Sequence, residues 1–143
     1  MGKKKIVTNE DGATTEAKAA VVPSVSKKKV DAGRLYVEST YNNTKLVLTD
    51  TRGNVLAFSS SGALGFKGAK KGTPFAAAKV GELIGGKAAV MGMQAADVLI
   101  KGVGSGRESS VRGFISNGLT ITSIKDITPV PFNGPKAKKP RRV

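Results

Sequence analysis

Apolar and polar residues alternate from Arg34 onward, with Leu35 and Val37 on one side and Tyr36 and Glu38 on the other, the period-two pattern of a half-buried strand. Tyr41-Asn42-Asn43-Thr44 interrupts it with turn chemistry, because Asn tolerates left-handed backbone and bonds to its own chain. A second alternating run, Lys45 to Asp50, carries Leu46 and Leu48 on one face; Thr51-Arg52-Gly53-Asn54 is another turn, and Val55 to Ser60 a third strand. Connections this short force neighbouring strands to be antiparallel, giving a three-stranded meander. The period then changes. Ser61 to Gly72 is a loop in which Gly62, Gly65, Gly68 and Gly72 interleave with Lys67, Lys70 and Lys71. Thr73 fits an N-cap and Pro74 the first helical position, where its missing N–H costs nothing. Ala77, Val80, Ile84, Ala88 and Met91 recur at helical spacing as a buried stripe, which predicts a helix ending at Gly92. Gly85 and Gly86 weaken it, at about 1 kcal/mol each against Ala. A strand Ala96 to Lys101, a glycine loop, a helix to about Asn117 with Gly118 as its stop, and a strand Leu119 to Lys125 complete the pattern.

Three strands followed by helix, strand, helix, strand define an α/β fold with a five-stranded mixed sheet. Strand–helix–strand units are parallel and right-handed in nearly all cases, so strands three, four and five are expected to be parallel. Counting directions from there brings the Asn42-Asn43 turn, the Lys67 to Lys71 loop, the loop after Lys101 and the chain beyond the last strand to one edge. Only the Arg52-Gly53-Asn54 turn falls on the opposite edge. Ligands of α/β sheets bind at the carboxyl ends of strands, and here the cations gather there.

Charge sharpens this reading. The 143 residues hold 24 Lys and Arg against 10 Asp and Glu, a net charge of +14, and an excess that large selects a polyanionic partner, nucleic acid before membrane. Residues 1–33 carry Lys triplets at both ends and too little apolar surface to order themselves, so they read as a basic, disordered arm. Residues 34–126 are the core domain. Residues 127–143 form a proline-broken tail with five cations, Lys136, Lys138, Lys139, Arg141 and Arg142, which either floats or threads into RNA. Cys and His are absent, which removes thiol nucleophiles, the common zinc ligands and the usual proton shuttle of neutral pH. No enzymatic activity, metal or cofactor is expected. No apolar run approaches the roughly 20 residues of a membrane helix, so no membrane partner is expected and the expected location is cytosolic. Only seven residues are aromatic and none is Trp, which argues for contacts to phosphate, sugar and shape rather than base stacking.

The segment Lys101 to Phe114, KGVGSGRESSVRGF, carries most of the candidate chemistry. Gly102, Gly104 and Gly106 follow a strand and open a helix, so their bulk-free backbone lets a phosphate approach unpaired amides, with Lys101 and Arg107 alongside. Ser105 and Glu108 have the spacing of a capping box, which makes Glu108 a structural cap rather than a catalytic acid. Arg112, four residues after Glu108, pairs with it along the helix. A competing reading is a nucleotide-binding enzyme, since Asp126 lies twenty residues past Gly106, where a ribose-binding acid would stand. Against it, the spacing is not G-x-G-x-x-G and the unit comes late in the sheet. The acids Glu38, Asp50, Glu82 and Asp97 are dispersed singly, unlike a magnesium-dependent nuclease site.

Taken together, STYNNT (Ser39 to Thr44), GFKGAKKGTPFAA (Gly65 to Ala77), KGVGSGRESSVR (Lys101 to Arg112) and ITPVPFNGP with its final KKPRRV resemble one family in one register. It is the universal eleventh protein of the small ribosomal subunit, in its bacterial form, and the resemblance covers about Lys27 to Val143. It implies a ribonuclease-H-like fold without nuclease activity, binding to small-subunit ribosomal RNA on the platform, and the messenger path by the exit site nearby. Implied neighbours are small-subunit proteins seven, eighteen and, where present, twenty-one. The positions that match the family's contacts are Asn42, Asn43, Lys67, Lys70, Lys71, Lys101, Arg107, Asn133 and the tail cations. The chain departs from the family pattern at Val103 and Ser105, where prolines are usual, at Pro135, where a cysteine is common, and over its first 26 residues.

Overall fold

The computed structural model describes residues 29–142; the N-terminal arm expected from the sequence lies, for residues 1–28, outside them. Five strands form one sheet: β1 (Ala32–Ser39), β2 (Thr44–Asp50), β3 (Val55–Ser60), β4 (Ala95–Gly102) and β5 (Thr120–Asp126). Helices α1 (Pro74–Val90) and α2 (Gly106–Ile115) precede β4 and β5. The order across the sheet is β3-β2-β1-β4-β5, with β2 antiparallel to both neighbours and β1, β4 and β5 parallel. This is the ribonuclease-H-like arrangement, an α/β fold on a mixed five-stranded sheet.

The directions match the expectation from sequence, and the structure supplies the adjacency. β4 does not lie beside β3. α1 carries the chain from the β3 edge across the sheet to pair β4 with β1 over Ala32 to Ser39. β1 also starts two residues before the alternation begins, because Ala32 and Gly33 pair with Ala95 and Ala96. These small residues give no period-two signal, and Gly33 lies so close to Met93 and the Thr49 carbonyl that a Cβ would collide with both.

Both helices pack on one face of the sheet. Alternate residues Leu35, Val37, Leu46, Leu48, Val98 and Ile100 meet Val80, Ile84, Val111 and Phe114 in a single apolar core, and Phe114 is its largest fully buried side chain. The stripe predicted for α1 is the buried one at Ala77, Val80, Ile84 and Ala88, with Met91 packed partly buried at its end. Thr73 caps α1 as expected, accepting the Ala76 amide at 3.4 Å, with Pro74 in the first position. α1 stops at Val90, two residues short of the predicted Gly92, where φ of +81° takes the chain out of the helix.

Gly81 and Gly85 inside α1 are packing contacts, whereas Gly86 has no such neighbour and remains a local weakness. A Cβ on Gly81 would overlap the Ser110 carbonyl, one on Gly85 the Asn117 amide and the Phe114 carbonyl, and one on Gly113 of α2 the Ala78 carbonyl. Both helices therefore present bare backbone where they cross, which is what allows them to approach closely over one sheet.

Candidate nucleic-acid interface

The carboxyl ends of β1, β3, β4 and β5 deliver three loops and the tail to one rim, and short polar contacts lock them together. The turn after β1 closes on itself: the Thr40 amide donates to the Asn43 carbonyl at 2.9 Å, and the Asn43 amide to the Thr40 hydroxyl at 3.1 Å. The Ser61 amide, leaving β3, donates to the Thr44 carbonyl at 3.0 Å, and the Gly62 amide to Asn43 Oδ1 at 3.4 Å. The Gly104 amide, leaving β4, donates to the Ser39 carbonyl at 2.9 Å. Ser105 Oγ then bridges the second and third loops by donating to the Gly72 carbonyl at 2.8 Å. Residues 67–71 and 101–107 therefore stand on the same rim, as the strand directions predict, and the Arg52-Gly53-Asn54 turn lies at the other end of β2 and β3.

Beneath the rim, Ser39, Thr44 and Ser61 are fully buried. Ser39 Oγ and Thr44 Oγ1 are 3.5 Å apart, and Ser61 Oγ donates to the Thr44 carbonyl at 3.4 Å. Buried hydroxyls stay only where partners satisfy them, so this cluster fixes how the loops leave the sheet. Sequence reasoning passed over all three, since a Ser or Thr at a strand end reads as ordinary turn polarity.

Two expectations about the loop after β4 are corrected. The capping box does not form. Ser105 has helical backbone angles (φ −69°, ψ −12°), which turn its hydroxyl away from the amides behind it and towards Gly72; Glu108 faces Arg112 at 3.6 Å instead of reaching back. Nor are the glycines an open phosphate cradle. The Gly102 amide donates to Thr128 Oγ1 at 3.1 Å and that of Gly104 to Ser39, while Gly104 and Gly106 are buried against Thr40, Ser39 and Thr44 with no room for a Cβ. Gly102 and Gly104 are needed because backbone packs on backbone, and Gly106 because the side chains of Thr44 and Ala77 press against it. Gly65 (φ +93°) and Gly68 (φ +60°) in the neighbouring loop have open space around them, and the loop closes in a short 3-10 turn, Gly68–Gly72.

Arg107 is committed internally. Its guanidinium donates to the Gly102 carbonyl and pairs with Asp126. Asp126 also accepts the Thr128 amide at 2.8 Å and the Thr128 hydroxyl at 2.6 Å. The Thr128 hydroxyl and amide, then Arg107, hold the Asp126 carboxyl down at about 2. The clasp joins α2, the end of β4 and the end of β5, and the Ile127 amide extends it by donating to the Ile100 carbonyl at 2.8 Å. An acid so occupied is not placed to take a ribose hydroxyl. The four acids singled out as dispersed are each engaged: Glu38 pairs with Lys45 at 3.4 Å, Glu82 with Lys79 at 2.8 Å, Asp97 accepts from Ser123 at 2.8 Å, and Asn54 above all holds the Asp50 carboxyl below its usual range. Among the described residues no three acids converge as a metal site, and no helix is long and apolar enough to cross a membrane.

The remaining predicted residues fall on or beyond this rim. Lys67, Lys70 and Lys101 are exposed, Lys71 is half-buried, and among the described residues none of the four has an ion pair. Asn42 is exposed beside them. Asn133, at φ +52°, turns the exposed tail that carries Lys136, Lys138, Lys139, Arg141 and Arg142.

An α/β domain whose acids do not gather into a site and whose unpaired lysines share one rim is a structural, polyanion-binding protein. The family model for ribosomal protein S11 matches residues 33–142, and the chain belongs to that family. It is therefore a non-enzymatic constituent of the small ribosomal subunit that binds ribosomal RNA, part of the ribosome of the cytoplasm.

Proposed function

We propose that the rim is the surface that binds small-subunit ribosomal RNA, with Lys67, Lys70, Lys71 and Lys101 on phosphates and the tail cations ordered by the same RNA. The observation that carries this reading is the convergence of these unpaired lysines on loops already pinned by Ser105, Asn43 and the buried hydroxyl cluster, so that little loop ordering remains to be lost on binding. Asn42 presents its amide to the same backbone. Asn43 and Arg107 act from behind, one holding the first two loops together and the other anchoring the root of the tail. In this reading the protein is of the bacterial type and sits on the platform near the messenger path at the exit site, beside small-subunit proteins seven, eighteen and, where present, twenty-one. The tail beyond Thr128 is the extension that reaches into RNA from a folded core, since Ala32 and Gly33 belong to β1 and Ile127 and Thr128 are bonded to β4 and Asp126.

The test is RNA affinity across a salt series. Replacing Lys67, Lys70 and Lys71 together with Ala should flatten the dependence of log K on log salt by about 2 to 3, since each phosphate contact releases close to one counterion. Arg52→Ala, at the opposite edge, should leave the slope unchanged. Equal losses from the two variants would refute the assignment of the rim.

A further inference from the structure

The helices cover one face of the sheet; among the described residues no helix covers the other. Register carries a single row across that open face, one residue from each strand: Phe58 pairs with Val47, Val47 with Tyr36, Tyr36 with Leu99, and Leu99 with Lys125. Phe58 is 71% exposed, and the next three are half-buried. All-parallel sheets have both faces covered, and the parallel half of this mixed sheet, β1, β4 and β5, leaves Tyr36 and Leu99 on a face that no helix among the described residues covers. An apolar row in that position calls for an occupant.

Charge says which kind. Two acids lie on this face, and both are engaged, Glu38 with Lys45 and Asp97 with Ser123. Arg34, Lys101 and Lys125 are exposed there without an ion pair among the described residues. The face is thus net positive with two aromatic rings at its centre and edge, two strands or about 10 Å apart. Lys101 stands where the face meets the lysine rim, so the two surfaces are continuous. The small number of aromatic residues argues against a stacking platform, but the fold collects two of the seven on one row.

We propose that this open face is a second RNA-binding surface, on which unpaired bases stack against Phe58 and Tyr36 while Arg34, Lys101 and Lys125 take the flanking phosphates. Bases supply the flat faces and phosphates the negative charge, a combination that suits single-stranded rather than duplex RNA. The surface meets the loop rim at Lys101, and its stacking residues, Phe58 and Tyr36, stand or fall separately from that rim.

The experiment uses the full-length protein with two probes of equal length and charge, an oligoadenylate and an abasic ribose-phosphate oligomer, each titrated at several salt concentrations. Wild type should bind the oligoadenylate about tenfold or more tightly than the abasic chain, because stacking adds to the phosphate contribution. Phe58→Ala, Phe58→Leu and Tyr36→Leu should each erode that preference severalfold without changing the salt slope. Phe58→Leu separates ring stacking from apolar area, and Phe58 is exposed on an edge strand, so its variants keep the core. The Lys67, Lys70 and Lys71 variant should do the converse, flattening the slope and keeping the preference. Equal wild-type affinity for both oligomers would overturn the proposal, as would undiminished preference in the Phe58 and Tyr36 variants. So would Phe58 variants that bind RNA normally but fail to stay in small-subunit particles, since the face would then be a protein contact.

Discussion

Gly81 is a residue whose missing side chain is a packing requirement. A Cβ there meets the backbone of Ser110 and Phe114, which cannot move without shifting α2, whereas a Cβ on Gly86 has nothing nearer than Asn117 Oδ1 at 3.8 Å. The two positions lie in one helix and have opposite expectations. Gly81→Ala should destabilise the protein by about 1–3 kcal/mol through overpacking. Gly86→Ala should be neutral or stabilise by up to about 1 kcal/mol, because Ala loses less backbone entropy in a helix. Denaturant unfolding of both variants checks this, and equal effects would mean that the crossing of α1 and α2 is not set by bare backbone. Sequence alone assigns every helix glycine the same cost, because propensity describes an isolated helix and carries no information about a neighbour.

At the scale of elements, the clasp of Arg107, Asp126 and Thr128 joins the end of β4 and the start of α2 to the end of β5, with Arg107 and Asp126 19 residues apart along the chain. Its carboxyl titrates at about 2 in the folded protein, below the ordinary value of about 3.9 in an unfolded chain. A depressed folded value means that the ionised clasp contributes its stability above pH of about 4 and loses it as the pH falls towards 2. Wild type should therefore lose more stability between pH 5 and pH 2 than Asp126→Asn, as read by unfolding at a series of pH values; parallel curves would show that the clasp contributes nothing. Sequence reasoning found Asp126 and Arg107 but gave them other work, one as a possible ribose ligand and the other as a phosphate contact. The signal for the true pairing is absent from local spacing: Thr128 lies outside any strand, and Arg107 reaches Asp126 only because β5 docks beside β4. The capping box failed for a related reason. Ser-x-x-Glu describes what the four residues can do by themselves, and the Gly72 carbonyl, 33 residues away, offered the Ser105 hydroxyl a better geometry.

For the molecule as a whole, a folded core presents charge and the tail extends it. Every residue from Pro129 to Arg142 is exposed, so the core should not depend on them. Ending the chain after Thr128 should leave the unfolding midpoint unchanged while weakening affinity for small-subunit ribosomal RNA and flattening its salt dependence; a large fall in stability would show that the tail packs on the core. The sequence by itself determined the element types, the directions of the strands, the basic character and the gathering of cations on one rim. Those follow from hydrophobic period, turn length, handedness and composition, which act over a few neighbouring residues or the chain as a whole. Only the tertiary structure decided which strands adjoin, which glycines are fillers and which are contacts, which amides and acids are already satisfied, and that Phe58 and Tyr36 share a row. Each of these is a meeting of segments distant in sequence, and such meetings are settled by close packing and hydrogen-bond satisfaction in three dimensions, which no local pattern encodes.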